Sequence, residues 1–230
     1  MSLGEIFSNV IFLMNKYSGT LMKGVFMTVE LSCITVFFGL IFGTIVAFMK
    51  MSKFRIWKIR PLNLLATIYV EVIRGTPLLL QLYFFYFFLP EVIPALNDKK
   101  LCVLVALIVN SAGYVAEIVR SGIAAVDPGQ TEAARCLGLN ATQTMQKIVI
   151  PQAVKNILPA MGNELVMMLK ETSLASTFFV GEIMTQTNVI GGATFLQIET
   201  MIISGILYLV LTTVVSKLVG MYERRLAVSD

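Results

Sequence analysis

Residues 31–49 read LSCITVFFGLIFGTIVAFM, nineteen consecutive positions without a charge. A helix needs about 20 mostly apolar residues to cross a hydrocarbon core of roughly 30 Å, so this stretch reads as a membrane span. The chain around it agrees: 57% of its 230 residues are hydrophobic, 14% are charged, and the mean hydropathy is +0.80. Those values lie well outside the range of a water-soluble globular fold. Repeating the search outward predicts five spans, at about 22–49, 61–89, 101–123, 151–180 and 195–221. The fold class is therefore an all-α integral membrane protein forming one domain over residues 1–230.

Charge placement orients the spans. Lys50, Lys53, Arg55, Lys58 and Arg60 crowd the loop after the first span with no acid among them. Arg120, Arg135, Lys147 and Lys155 lie between the apolar cores of the third and fourth spans, which end at Val119 and begin at about Ile157, and Lys217, Arg224 and Arg225 lie beyond the apolar core of the fifth, which ends at about Ser216. Only Lys16, Lys23, Lys99 and Lys100 fall on the opposite side, which by the positive-inside rule predicts the N-terminus out and the C-terminus in. The formal net charge of +4 is not a nucleic-acid footprint, because apolar runs separate the basic residues.

Other chemistries lose their basis. The chain has no histidine, and Cys33, Cys102 and Cys136 are far apart without CxxC spacing, so metal, disulfide and thiol-redox roles are not expected. The first residues carry Glu5 rather than a basic cluster, and the apolar run that follows exceeds a signal-peptide core, so this segment is expected to stay in the mature protein. Residues 2–15 have apolar positions at helical spacing, predicting either an interfacial helix or a tail packed on the first span.

Residues 127–151, DPGQTEAARCLGLNATQTMQKIVIP, are polar and too long for a simple turn. Asp127 can cap a helix whose first residue is Pro128, with Gln130 completing a capping box, and Gly138 stops that helix. Asn140 with Gln143 offers a second cap, for a short helix running toward Pro151. Local chemistry thus predicts a cytoplasmic hairpin of two short helices.

The same segment carries a resemblance. Glu132-Ala133-Ala134, Gly138 and the run Ile148-Val149-Ile150-Pro151 are spaced as in the EAA loop of permeases of ATP-binding-cassette importers, with Ile150 where leucine is usual. Residues 71–79 (EVIRGTPLL), 116–123 (AEIVRSGI), and 162–164 (GNE) with 169–174 (LKETSL) are similar to the subfamily importing polar amino acids. The resemblance covers residues 20–225. It implies a translocation subunit of a type I importer in a bacterial cytoplasmic membrane, working by alternating access. Its implied partners are a dimer of cytoplasmic ATPases, a second permease copy or a sister permease, an extracellular solute-binding protein, a polar amino acid and membrane lipid. Glu132, Ala133, Ala134 and Gly138 are the implied contacts with the ATPase. The chain has no GxxxxGK[ST] loop and is not expected to be an enzyme; ATP and magnesium would be bound by the partner. The alternatives are an autonomous secondary transporter or channel, and a scaffold.

Charges at membrane depth are costly and tend to face a bundle interior or a water-filled path. Asn163 and Lys170, and likewise Glu164 and Glu171, are seven apart and so share a helix face two turns, roughly 10 Å, apart. Both signs of charge on one stripe suit a zwitterion, with Lys170 for a carboxylate and Glu164 for an ammonium. The alternative is an internal network pairing Glu164 with Arg120 or Arg74. Arg74 sits beside a break expected at Gly75 and Pro77 and either lines the path or snorkels to the interface. Glu117 and Arg120 form an expected i,i+3 pair. Gly39 and Gly43 make a GxxxG step that permits close helix packing. The aromatic run 83–88 reads as an interfacial belt and residues 222–226 as a membrane-exit anchor.

Overall fold

The computed structural model describes residues 2–94 and 97–227. The described residues form helices α1 (Leu3–Met51), α2 (Pro61–Gly75), α3 (Leu78–Val92), α4 (Lys99–Ala124), α5 (Pro128–Cys136), α6 (Ala141–Thr144), α7 (Ile150–Glu171), α8 (Ile183–Thr194) and α9 (Gln197–Ala227). A π-turn, Met145–Val149, joins α6 to α7, and a 3₁₀ segment, Thr172–Phe178, follows α7.

Helix α1 starts on a capping box: the Ser2 backbone N–H donates to Glu5 Oε2 at 2.8 Å and the Glu5 N–H to Ser2 Oγ at 3.3 Å. No proline interrupts its 49 residues, about 73 Å of helix. Residues 3–15 are therefore not a separate interfacial helix but the first turns of the long one, and Leu13 is fully buried against Leu21, Ile190 and Ile203. The expected break in the second span is present. Thr76, restricted by the proline that follows it, is extended at φ −118° and ψ 146°, and its Oγ1 donates to the Val72 carbonyl at 2.8 Å.

Among the described residues, three helices are long and apolar enough to cross a membrane (Leu3–Met51, Lys99–Ala124 and Gln197–Arg224), and α2 with α3 makes a fourth when taken as one broken span. Helix α7, the core of the expected fourth span, carries Lys155, Glu164, Lys170 and Glu171 and ends at Glu171, earlier than residue 180. Phe179 closes the following 3₁₀ segment in the left-handed region at φ 54°. Helix α8 falls in a segment expected to be a connection, and its start is built by a buried acid. Glu182 accepts the Met184 N–H at 2.6 Å, the Thr185 N–H at 2.7 Å and the Thr185 hydroxyl at 2.7 Å, and Tyr208 on α9 donates to it at 3.1 Å. The expected anchor at 222–226 is helical, but the side chains of Arg225 and Leu226 lie outside the described residues.

The chain forms two compact units. The first comprises residues 1–35, 78–107 and 165–217, and its apolar cores are the Leu13 cluster and a second cluster of Leu82, Val103, Ala106, Leu107, Ala175 and Phe178. The aromatic run belongs to this unit: Tyr83 and Tyr86 pack on the Phe178 ring, whereas Phe84, Phe87 and Phe88 stay exposed. The second comprises 36–77, 108–164 and 218–230; Ala47, Val70, Val115, Ala116, Val119, Val149 and Ala153 are among its core residues. Within the second unit the GxxxG step packs α1 directly on α4. A Cβ at Gly39 would stand 2.6 Å from Ser111 Oγ, and one at Gly43 would stand 2.7 Å from Val115 Cβ and 2.8 Å from the Ala112 carbonyl oxygen.

Candidate coupling hairpin and polar cleft

Both candidate sites are built in the second unit. The hairpin begins where Asp127 Oδ1 accepts the Gly129 N–H at 2.8 Å with Pro128 as the first helical residue. The cap is a turn closed on Gly129; the expected box with Gln130 does not form, because the Gln130 side-chain oxygen instead accepts from Gln152 at 3.5 Å and only its backbone N–H returns to the Asp127 carbonyl. Helix α5 ends in a Schellman closure. Gly138 has φ +86°, the Leu139 N–H donates to the Ala134 carbonyl at 3.1 Å and the Gly138 N–H to the Arg135 carbonyl at 3.1 Å. The glycine is required by that angle, not by crowding, since a Cβ there meets nothing within 4 Å.

Two residues later Asn140 and Gln143 form the expected reciprocal box, at 2.9 Å and 3.0 Å. Pro151 does not end the second helix. The chain passes from α6 through the π-turn into α7, so the hairpin is rooted in the polar helix without an intervening loop. Helix α5 packs on α6 and the π-turn. Its outward face presents Glu132, Ala133, Gly138 and Leu137, the last 84% exposed. Ala134 points inward and is buried, so of the two small residues only Ala133 is exposed. Leu137 was not singled out from sequence; an apolar residue beside a polar helix stop is a weak signal.

Helices α1, α2 and α4 enclose an open cleft of about 490 Å³ lined by Lys50, Val70, Glu71, Arg74, Gly75, Tyr114 and Glu117. Arg74 lies over the Tyr114 ring, 5.5 Å from its centroid. It is exposed to the cleft rather than buried in an ion pair. Glu117 accepts from Arg120 Nε at 2.9 Å, the expected i,i+3 pair, and also from Lys50 Nζ at 3.1 Å, a cross-helix contact that sequence spacing does not reveal. Nearby on α4, the buried Ser111 hydroxyl donates to Glu164 Oε1 of α7 at 2.8 Å, so Glu164, 3% exposed, is tied into the helix packing by a hydroxyl. Asn163, one residue earlier, is exposed. Lys170 and Glu171 belong to the first unit, Lys170 exposed and Glu171 half-buried. Of the expected site residues, Arg74 is thus at the cleft and Glu164 is joined to the α4 segment whose Tyr114 lines it.

The chain as a whole has counterparts in known proteins. Residues 35–228 match the family described as binding-protein-dependent transport system inner membrane component. The chain is 38% identical over 210 residues to the arginine transport system permease protein ArtQ of Bacillus subtilis (strain 168), covering 91% of this chain and 94% of that one. It is 35% identical over 209 residues to a putative glutamine transport system permease protein, GlnP, of Rickettsia bellii (strain RML369-C), covering 91% and 94%. Among solved structures, a chain of an amino acid ABC transporter crystallised with histidines aligns with TM-score 0.86 and 43% identity over 93% of this chain and 97% of that one. A chain of the MetNI methionine ABC transporter shares the fold at TM-score 0.77 and 19% identity. The chain belongs to the family of binding-protein-dependent transport system inner membrane components.

Proposed function

We propose that this chain is the translocation subunit of an ATP-driven importer for a polar amino acid, working by alternating access in the cytoplasmic membrane. The observation that carries the reading is the hairpin: two capped short helices turned by a left-handed glycine and rooted through a π-turn in the polar helix α7. In this reading the ATPase seats on Glu132, Ala133, Leu137 and Gly138, and its closure pushes the hairpin and so displaces α7, which carries Asn163 and Glu164. π-turns frequently mark functional sites, and this one lies where such a displacement would enter α7. The chain itself is not an enzyme; ATP hydrolysis belongs to the separate ATPase subunits, which bind ATP and magnesium. A solute-binding protein delivers the substrate, and a second copy or a sister permease completes the pore. In this reading the chain has five spans with the N-terminus out, which puts the hairpin in the cytoplasm.

The cleft suits the cargo in size and charge. Its volume falls in the usual range for small-molecule sites, roughly 300–1,000 Å³, and it offers Arg74 to a carboxylate and Glu71 to an ammonium. Glu164, Asn163, Lys170 and Glu171 are proposed to line the path. The test is uptake of radiolabelled polar amino acids into proteoliposomes holding the chain with its ATPase and solute-binding protein. Uptake that requires internal ATP supports the reading. Uptake by the chain alone, or none with any amino acid while a different solute is carried, contradicts it.

A further inference from the structure

The loop between α1 and α2 is not used by the transport mechanism, yet it is more ordered than a connection requires. Its two ends are held together, because the Asn63 side-chain amide donates to the Lys50 carbonyl. Between them the Ile56 N–H donates to the Ile59 carbonyl at 2.9 Å and the Ile59 N–H to the Ile56 carbonyl at 3.1 Å, closing a two-residue turn over Trp57 and Lys58. Trp57 occupies the first central position at φ +57°, a left-handed angle that such turns normally give to glycine. The fold thus holds a bulky aromatic residue in a strained conformation at the tip, where it is 91% exposed. Phe54, Ile56 and Ile59 are exposed around it. Lys53, Arg55, Lys58 and Arg60 alternate with them, all exposed, with no acid between residues 50 and 60.

We propose that this basic, aromatic turn seats on anionic lipid headgroups, with Trp57 and its apolar neighbours at the headgroup boundary and Lys53, Arg55, Lys58 and Arg60 on lipid phosphates. The combination is that of a membrane-interface anchor: an amphipathic ring at headgroup level and cations that each contribute about a fivefold preference for an anionic surface. Tied ends and a nine-residue length keep the turn close to where α1 and α2 leave the hydrocarbon, so lipid is the surface within reach. The side is that of the coupling hairpin, because Lys50 at the end of α1 pairs with Glu117 toward the end of α4 that leads to α5. The inference rests on the membrane location and is independent of what the chain carries.

Trp57 is the single tryptophan of the chain, so its fluorescence reports the turn without labelling. The full chain is placed in nanodiscs of phosphatidylcholine alone or mixed with phosphatidylglycerol, each with and without brominated acyl chains. The expected result is blue-shifted emission and severalfold stronger bromine quenching in the anionic discs. Raising ionic strength from about 0.01 M to about 1 M, which shortens the Debye length from about 30 Å to about 3 Å, should remove the difference. The variant K53Q/R55Q should weaken it while Lys50, Lys58 and Arg60 keep the orientation. Water-like emission in both lipids overturns the proposal, since Trp57 would then stay in solvent. Equal quenching in both lipids and at both salt concentrations overturns it too, since headgroup charge would then play no part.

Discussion

Gly39→Ala tests how the α1–α4 contact supports the candidate path. The new Cβ would lie 2.6 Å from Ser111 Oγ and 3.0 Å from Ser111 Cβ, closer than real contacts allow. The hydroxyl could rotate away at little cost if it were free, but it donates to Glu164 Oε1 at 2.8 Å. The variant must therefore either push the helices apart or break that bond. Overpacking costs roughly 1–3 kcal/mol, and a hydrogen bond between membrane helices contributes about 0.6 kcal/mol on average and up to about 1.7. The cheaper of the two routes sets the expected loss at roughly 1–2 kcal/mol, a fall in melting temperature of roughly 2–8 °C for a chain of this size. The assay is thermal unfolding of the purified chain in detergent for G39A, S111A and the double variant. Because alanine at 111 removes the nearest atom, G39A should cost about 1 kcal/mol less in the S111A background, a coupling of the size contacting residues show. Additive costs within about 0.3 kcal/mol would refute the reasoning, since the two residues would then not share one strained contact.

Gly138→Asp should leave the chain inserted and folded, because the space is open and the left-handed angle costs about 1–2 kcal/mol, yet abolish substrate-stimulated ATP hydrolysis in the assembled complex. Coupled transport at the normal rate in that variant would count heavily against the hairpin as the contact. Glu164→Ala strands the Ser111 donor at a cost of about 1–3 kcal/mol and should lower uptake about tenfold without lowering ATPase co-purification; Glu164→Gln, which keeps an acceptor, should retain most uptake. Equal loss of assembly in the alanine variant would make Glu164 a packing residue. Glu182→Ala removes the cap of α8 and the acceptor of Tyr208, roughly 2–4 kcal/mol together, and should lower the melting temperature by roughly 5–15 °C; an unchanged melt would show that α8 starts without it.

What the sequence revealed depended on how local the determining forces were. The hairpin was legible because Asp127-Pro128, Gly138 and Asn140 with Gln143 act within a few residues, and their caps form largely as written. The break at Thr76-Pro77 was legible for the same reason. The Ser2–Glu5 box was equally local, but the weak periodicity of residues 2–15 left an interfacial helix and a tail packed on the first span equally open, and neither is the continuous helix that forms. Helix α8 escaped notice because its cap is a glutamate, a less common capping residue, and because a segment without Lys or Arg looks like a connection. Of the cleft only Arg74 was legible, from the break beside it: Lys50 meets Glu117 across 67 residues and Ser111 meets Glu164 across 53, and only packing brings them together. The inward turn of Ala134 and the outward turn of Leu137 likewise depend on how α5 lies on α6 and the π-turn, which composition does not specify.

The hairpin, in the proposed mechanism, is where an ATPase couples to this chain. A photoreactive amino acid placed at Leu137, which is 84% exposed on the hairpin's outward face, tests it directly in native membranes. Crosslinking to a protein carrying a GxxxxGK[ST] loop, with a yield that changes when ATP is added, is the predicted result. Crosslinks only to lipid, or to this chain itself, with no ATPase product in either nucleotide state, would contradict it.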